Sequence, residues 1–242
     1  MVQNIYDEPV FFEGYGRLNR SVHGLAGAPE WPALRSMLPD MRGLRVVDLG
    51  CGYGWFCRWA RENGAGEVLG LDISEKMLDR ARAENGDPAI AYRRADLAEL
   101  SLPKEAYDLV YSSLAFHYIE DAERLYRTIH GTLVPGGRLV FSTEHPIYMA
   151  SVHPSWVTKG GGSRAWPVDH YSVEGRRTTH WLGADVVKYH RTMATTVNLL
   201  IRAGFRILHI EEFSPTAAQI AADATLAEET DRPMFLMIAA GK

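Results

Sequence analysis

The chain has 242 residues, 46% hydrophobic and 23% charged, which suits one large α/β domain or such a domain with an inserted segment. A formal charge of −4 with no long basic run argues against a nucleic-acid partner, and no apolar run reaches the length of a membrane span. Cys51 and Cys57 are too few and too close for a disulfide framework and have no zinc-site spacing; the first residues lack the order of a signal peptide. The expectation is a cytoplasmic protein with no metal, no membrane and no nucleic-acid partner.

Residues 1–44 read as an N-terminal helical extension, placed as a cover over a ligand. From residue 45 short apolar runs alternate with amphipathic stretches. Val46–Leu49 predicts a strand ending in glycines, and Trp55–Glu62 a helix. Val68–Leu71 is the next strand, and Ser74 suits the N-cap of a helix reaching about Ala83. Ile90–Arg93 and Leu109–Tyr111 are strands three and four. A helix over about Ala122–Leu133 stops at Pro135-Gly136-Gly137, and Arg138–Ser142 is strand five. This alternation implies a doubly wound, mostly parallel α/β sheet over 45–144. Residues 145–190, rich in Trp, His, Gly and Pro, read as an inserted substrate lid after strand five. Residues 191–242 complete the core with a helix Thr192–Ala203, a strand Phe205–Glu211, a helix Ala217–Glu229 and a strand Met234–Ala240.

The segment Asp48-Leu49-Gly50-Cys51-Gly52-Tyr53-Gly54 carries the chemistry. Alternate glycines after an apolar strand let the backbone turn tightly and come close to a ligand, and the helix that follows opens with free N–H groups. A dinucleotide fingerprint needs a third glycine where this chain has Trp55, and Asp48 would repel a phosphate while suiting a cationic amine. Asp72, ending strand two, is placed to accept from two ribose hydroxyls, which a dinucleotide enzyme would also use. A nicotinamide-dependent oxidoreductase is therefore the rival reading of the loop, and a non-catalytic cofactor-binding or regulatory module that keeps the pocket without turnover is the second.

Val46 to Gly54 resembles motif I of the class I S-adenosylmethionine-dependent methyltransferases. Asp72 is similar to their motif II acid and Asp96-Leu97 to motif III. Tyr107–Tyr118 resembles motif IV of the small-molecule branch, and Leu133–Leu139 the turn before their fifth strand. The resemblance implies S-adenosylmethionine as cofactor and a Rossmann-like sheet of seven strands with the last antiparallel. It implies that Gly50 and Gly52 lie under the methionine moiety and that Asp48 helps hold its amine. Asp72 would take the ribose and Ile73 the adenine face; Asp96 and the Leu97 N–H would meet the adenine edge. The Ser112 backbone would border the sulfonium. Independently of the resemblance, Tyr15, Arg17, Arg20 and His23 of the extension are expected to close over the cofactor, with Tyr15 or Arg17 meeting its carboxylate.

The methyl acceptor is less constrained, because alignment with an activated methyl supplies most of the catalysis. His145 is the first choice for a general base, beside Glu144, with His117 after strand four and His190 before the returning helix as further candidates. A capping or packed role suits each of these residues as well. The Ser112-Ser113-Leu114-Ala115 segment lacks the Asn/Asp-Pro-Pro-Tyr/Phe clamp of amide N-methyltransferases. The expected substrate is therefore a small molecule methylated on O, N or C.

Overall fold

In the computed structural model, which describes residues 3–242, the extension folds as α1 (Pro9–Gly16), α2 (Asn19–Val22) and α3 (Trp31–Met37). The alternating region follows as β1 (Arg45–Leu49), α4 (Trp55–Glu62), β2 (Glu67–Asp72), α5 (Glu75–Glu84), β3 (Ile90–Arg94), β4 (Tyr107–Ser113), α6 (Ala122–Thr132) and β5 (Leu133–Glu144). Next come the single turn α7 (Pro146–Met149), a short pair β6 (Val157–Thr158) and β7 (Arg164–Ala165), and the hairpin β8 (Gly175–Trp181) and β9 (Ala184–His190). The chain ends with α8 (Met193–Arg202), β10 (Arg206–Glu212), α9 (Ala217–Ala222) and β11 (Phe235–Gly241).

The sheet has seven strands in the order β10-β11-β5-β4-β1-β2-β3, parallel except for β11, which runs antiparallel to both neighbours. Successive side chains of a strand face opposite sides, and both sides are covered. Val46, Val68, Leu109 and Val140 pack with α3 and α4 on one face. Val47, Leu69, Val110 and Phe141, one residue on, pack with α6 and α8 on the other. Apolar residues thus run continuously in these strands, and the doubly wound fold follows.

The N-terminal segment and the β8–β9 hairpin hold each other. Ile5, Phe11 and Val186 are buried together, with Tyr15 and Trp181 against them. Phe11 meets Trp181 edge-on at 5.4 Å and Tyr6 at 5.1 Å. The Gln3 side chain donates to Asp185 O at 2.7 Å and accepts from Val187 N–H at 2.8 Å, like an extra rung beside β9. Asp7 ties the same segment to the start of α5, accepting from Ser74 Oγ at 2.5 Å and Lys76 N–H at 3.2 Å.

The helix expected over Ala217–Glu229 is broken. α9 stops at Ala222, and Asp223 takes an extended conformation (φ −142°, ψ 100°) whose carboxylate caps a 3₁₀ turn over Ala224–Thr230. Aspartate favours such a cap over a helix interior. Strand four runs two residues further at each end than expected, and strand five also begins earlier, with Gly136 and Gly137 inside β5 rather than before it.

Phe11→Ala empties a site that neither partner can refill, at a cost of about 3–5 kcal/mol. Amide hydrogen exchange is expected to show protection lost in residues 5–22 and 175–190 while β1, β4 and β5 stay protected.

Candidate active site

The sheet order reverses between β4 and β1, and a crevice opens there beyond their carboxyl ends. The glycine loop after β1 is pulled under β2: the Gly50 and Cys51 N–H groups both donate to Leu71 O, at 2.7 and 2.9 Å. Gly50, Gly52 and Gly54 all have positive φ (79°, 52° and 76°). Two of the three are fixed by neighbours. A Cβ on Gly50 would lie 2.5 Å from the Ala115 side chain, and one on Gly54 would lie 2.2 Å from the Tyr92 hydroxyl. A Cβ on Gly52 would meet nothing within 4 Å. Gly52 therefore presents bare backbone to open space.

That space is a cavity of about 1100 Å³, above the roughly 300–1,000 Å³ of a pocket for one small ligand. Gly50, Gly52, Asp72, Ile73, Asp96 and Leu97 line it on the sheet side. A chamber of about 90 Å³ opens behind the loop, and Tyr15, Arg20, Gly50, Gly52 and Ser113 border both. In this chamber the Ser21 hydroxyl and the Trp55 indole N–H are buried with no partner among the described residues. Trp55 is held by packing against Gly24, whose missing Cβ would stand 2.9 Å from the indole.

Asp72 accepts from the N–H groups of Gly52 and Ser74, each at 2.9 Å. Burial raises its pKa, with the backbone hydrogen bonds opposing. Asp96 accepts from Ala98 N–H at 2.9 Å, which turns the chain after β3 so that Leu97 follows it along the cavity. Asp48 borders the small chamber; the Cys57 thiol donates to it at 3.5 Å, and burial pushes its pKa to about 8. The Ser112 side chain does not reach the cavity. Its hydroxyl donates to Leu49 O at 2.6 Å and locks β4 to β1, while Ser113 and Leu114 line the wall. Leu114 has φ 56°, an uncommon conformation for a leucine, and its N–H donates to Ser142 O at 3.0 Å.

The two arginines of the extension part company. Arg17 points to solvent and pairs with Glu13 along α1, lining neither chamber. Arg20 reaches the glycine loop, its guanidinium held by both oxygens of buried Glu30 at 2.9 and 3.2 Å. Tyr15 lies beside Tyr53 of the loop, ring centroids 5.8 Å apart.

Of the four candidates for proton transfer, the structure brings two together. His117 and Glu144 line the cavity, with His117 Nε2 4.0 Å from Glu144 Oε1. The Glu144 N–H donates to His117 Nδ1 over 3.4 Å, so the ring proton sits on Nε2. Burial, with Lys188 and Arg191 near, pushes the His117 pKa well below its ordinary range. Lys188 of β9 donates to Glu144 Oε1, a partner the sequence reading missed. Its signal was a lysine between Val186 and His190 on the inward face of an alternating strand. His145 and His190 line neither chamber. His145 Nδ1 accepts from Ile147 N–H at 3.0 Å to cap α7, and its Nε2 donates to Glu212 of β10 at 2.7 Å. His190 Nε2 donates to Tyr171 O at 2.8 Å. Among the described residues no group of three or more His, Cys, Asp or Glu side chains is arranged to hold a metal, and no helix is long and apolar enough to cross a membrane.

A family model described as a methyltransferase domain matches residues 47–141. The crystal structure of an S-adenosylmethionine-dependent methyltransferase from Mesorhizobium loti is 63% identical and superposes with a TM-score of 0.88, covering 90% of this chain and all of that one (100%). The chain belongs to the S-adenosylmethionine-dependent methyltransferases. A putative methyltransferase of this kind from Listeria monocytogenes is 40% identical with a TM-score of 0.81, covering 89% of this chain and 98% of its own. The malonyl-[acyl-carrier protein] O-methyltransferase of Enterobacter lignolyticus is 36% identical over 124 residues, 51% of this chain and 48% of that protein. This methyltransferase therefore spans about half the length of that curated relative. The open face of Gly52, the strand-end acids and the orphaned Ser21 and Trp55 groups fit a ligand with a nucleoside at one end and an amino acid at the other.

Two outcomes follow. Gly54→Ala collides with Tyr92 and should unfold or rearrange the loop, whereas Gly52→Ala should cost only about 1–2 kcal/mol of stability through its left-handed backbone. Because its methyl enters the cavity, Gly52→Ala should weaken S-adenosylhomocysteine binding at least tenfold in calorimetric titration. Asp48 stays protonated in the folded, ligand-free protein up to about pH 8, against an ordinary value of 3.8. Its contribution to stability is fully present below pH 3.8 and is lost as pH rises through 8. Denaturation of the ligand-free protein between these pH values should show that loss relative to Asp48→Asn.

Proposed function

We propose that this enzyme, acting in the cytoplasm, binds the adenosyl group of S-adenosylmethionine between Asp72-Ile73 and Asp96-Leu97. The methionine end then passes over Gly50 and Gly52 into the small chamber. In this reading Asp72 accepts from the ribose hydroxyls, and Asp96 with the Leu97 N–H addresses the adenine edge. Arg20, rather than Arg17, serves the carboxylate, and Asp48 and the unpartnered Ser21 hydroxyl serve the amino-acid end. The single observation that carries this is that the two chambers meet at the glycine loop, both bordered by Gly50 and by Gly52, where a Cβ would touch nothing.

The rest of the large cavity, between Ser113–Ala115 and the β8–β9 hairpin, would take a small-molecule acceptor. When bound, the cofactor supplies a methyl group already activated by a positively charged sulfur. The chain's own residues then have to orient the acceptor, exclude water and receive any proton released, and orientation alone is worth about 7–11 kcal/mol. Likeness over half the length of a malonyl-carrier O-methyltransferase supports the reaction class and leaves the acceptor to be established from this cavity.

Calorimetric titration tests the cofactor assignment. S-adenosylhomocysteine should bind, Asp72→Ala and Arg20→Ala should each weaken it at least tenfold, and Arg17→Ala should leave it within twofold. Binding of NADH in place of S-adenosylhomocysteine would remove the proposal.

A further inference from the structure

The acceptor side of the cavity has an unusual charge arrangement. Glu144 ends β5 and faces inward, and buried Lys188 crosses from β9 to bond its Oε1. His117 Nε2 stands 4.0 Å from the same oxygen, beyond hydrogen-bond distance. Among the described residues no hydrogen bond uses the other oxygen, Oε2. Tyr118, on the turn after β4, and Tyr148 of α7 line the same cavity as Glu144. The cavity also offers flat or apolar side chains, Tyr6, Tyr148, Trp181, Met234 and Phe235 among them, beside polar Thr179 and Arg176 of β8.

A buried ion pair of zero net charge leaves no unmatched charge at this point for a charged guest to meet, and Arg176 and Glu120, which also line the cavity, are exposed to solvent. A carboxylate would confront Glu144 with its only nearby ammonium already engaged, and a protonated amine would compete with Lys188. A neutral acceptor that loses a proton as it reacts suits the pair better. We propose that the acceptor is an aromatic hydroxyl, with Glu144 as its general base and Lys188 as the cation beside the forming oxyanion.

The step balances without another reactant. The acceptor O–H bond breaks and its proton passes to Glu144. The oxygen's electron pair forms the new C–O bond, and the methyl–sulfur bond breaks with its pair left on sulfur. Before the transfer Lys188 faces a carboxylate; as Glu144 takes the proton, the same ammonium faces the oxyanion. The positive charge need not move while the oxyanion lasts; once the ether has formed, Glu144 must release its proton before its ion pair with Lys188 is restored. Lys188 is meanwhile kept in place by the Trp181 ring, 5.7 Å from Nζ.

This inference rests on the cofactor assignment above, so the test reads the two separately. The enzyme is given labelled S-adenosylmethionine and 2-naphthol, 2-naphthylmethylamine (protonated at neutral pH) or 2-naphthoic acid, three acceptors on one flat frame. Binding of S-adenosylhomocysteine is measured in parallel. Methylation of 2-naphthol should exceed that of the other two at least tenfold. Glu144→Gln should lower kcat on 2-naphthol about 100-fold, the low end for loss of a general base, with S-adenosylhomocysteine affinity within twofold. On 1-nitro-2-naphthol, which is already ionised at neutral pH, the loss should shrink to a few fold. Should the lone Lys188 charge unfold that variant, Glu144→Gln with Lys188→Met removes both charges and should show at least that loss on 2-naphthol. Preference for the amine or the carboxylate overturns the proposal. So does an equal loss on both naphthols, or methylation of none of them while S-adenosylhomocysteine binds. Failure of S-adenosylhomocysteine to bind overturns the cofactor reading instead.

Discussion

One carboxylate holds the centre of this molecule together. Asp72 takes the N–H of Gly52 with one oxygen and the N–H of Ser74 with the other. The first bond ties the loop after β1 to the end of β2; the second starts α5. The glycine loop can then lie open-faced because its shape is set from outside by Leu71 O and Asp72. Its own side chains need not fill the space where a ligand goes. A buried acid with backbone partners and a cavity on its remaining side also suits two hydroxyl donors from a nucleoside.

The cavity wall away from the sheet is built differently. The N-terminal segment and the β8–β9 hairpin are far apart in sequence, yet Phe11 and Trp181, and Gln3 and β9, join them into one layer. Asp7 fastens that layer to Ser74, the residue that Asp72 also holds. The cover and the cofactor acids are thus linked through one helix start, and the order of the cover depends on the order of the site beneath it.

The sheet and the loop were legible because their signals are contiguous. Apolar runs, alternate glycines and a strand-end acid need no distant partner to be read. The structure finds β1 to β5 where the pattern places them, and it closes the sheet with an antiparallel β11. Partners distant in sequence were not legible. Glu144 and His145 are neighbours, but successive residues leave a strand on opposite sides. Glu144 therefore enters the cavity, while His145 turns to Glu212, 67 positions away. Arg17 and Arg20 look equivalent as text. The break at Leu18 (φ −64°, ψ 147°) turns the chain between them and sends only the second to the loop. Asp223 ends a helix whose apolar pattern runs on, because its side chain offers the backbone another partner. Lys188 carried its signal in the alternation of β9, but its significance depends on Glu144 of another strand.

The account turns on one path through the molecule, from the Asp96 end of the cavity across Gly52 to the chamber bordered by Arg20 and Asp48. A crystal structure with S-adenosylhomocysteine tests it most directly. The account predicts ribose hydroxyls within hydrogen-bond distance of Asp72, adenine beside Asp96 and Leu97, the amino-acid end behind Gly52 near Arg20, and sulfur facing Ser113–Ala115 and Glu144. A ligand lying in the reverse direction, or one bound outside this cavity, would contradict it.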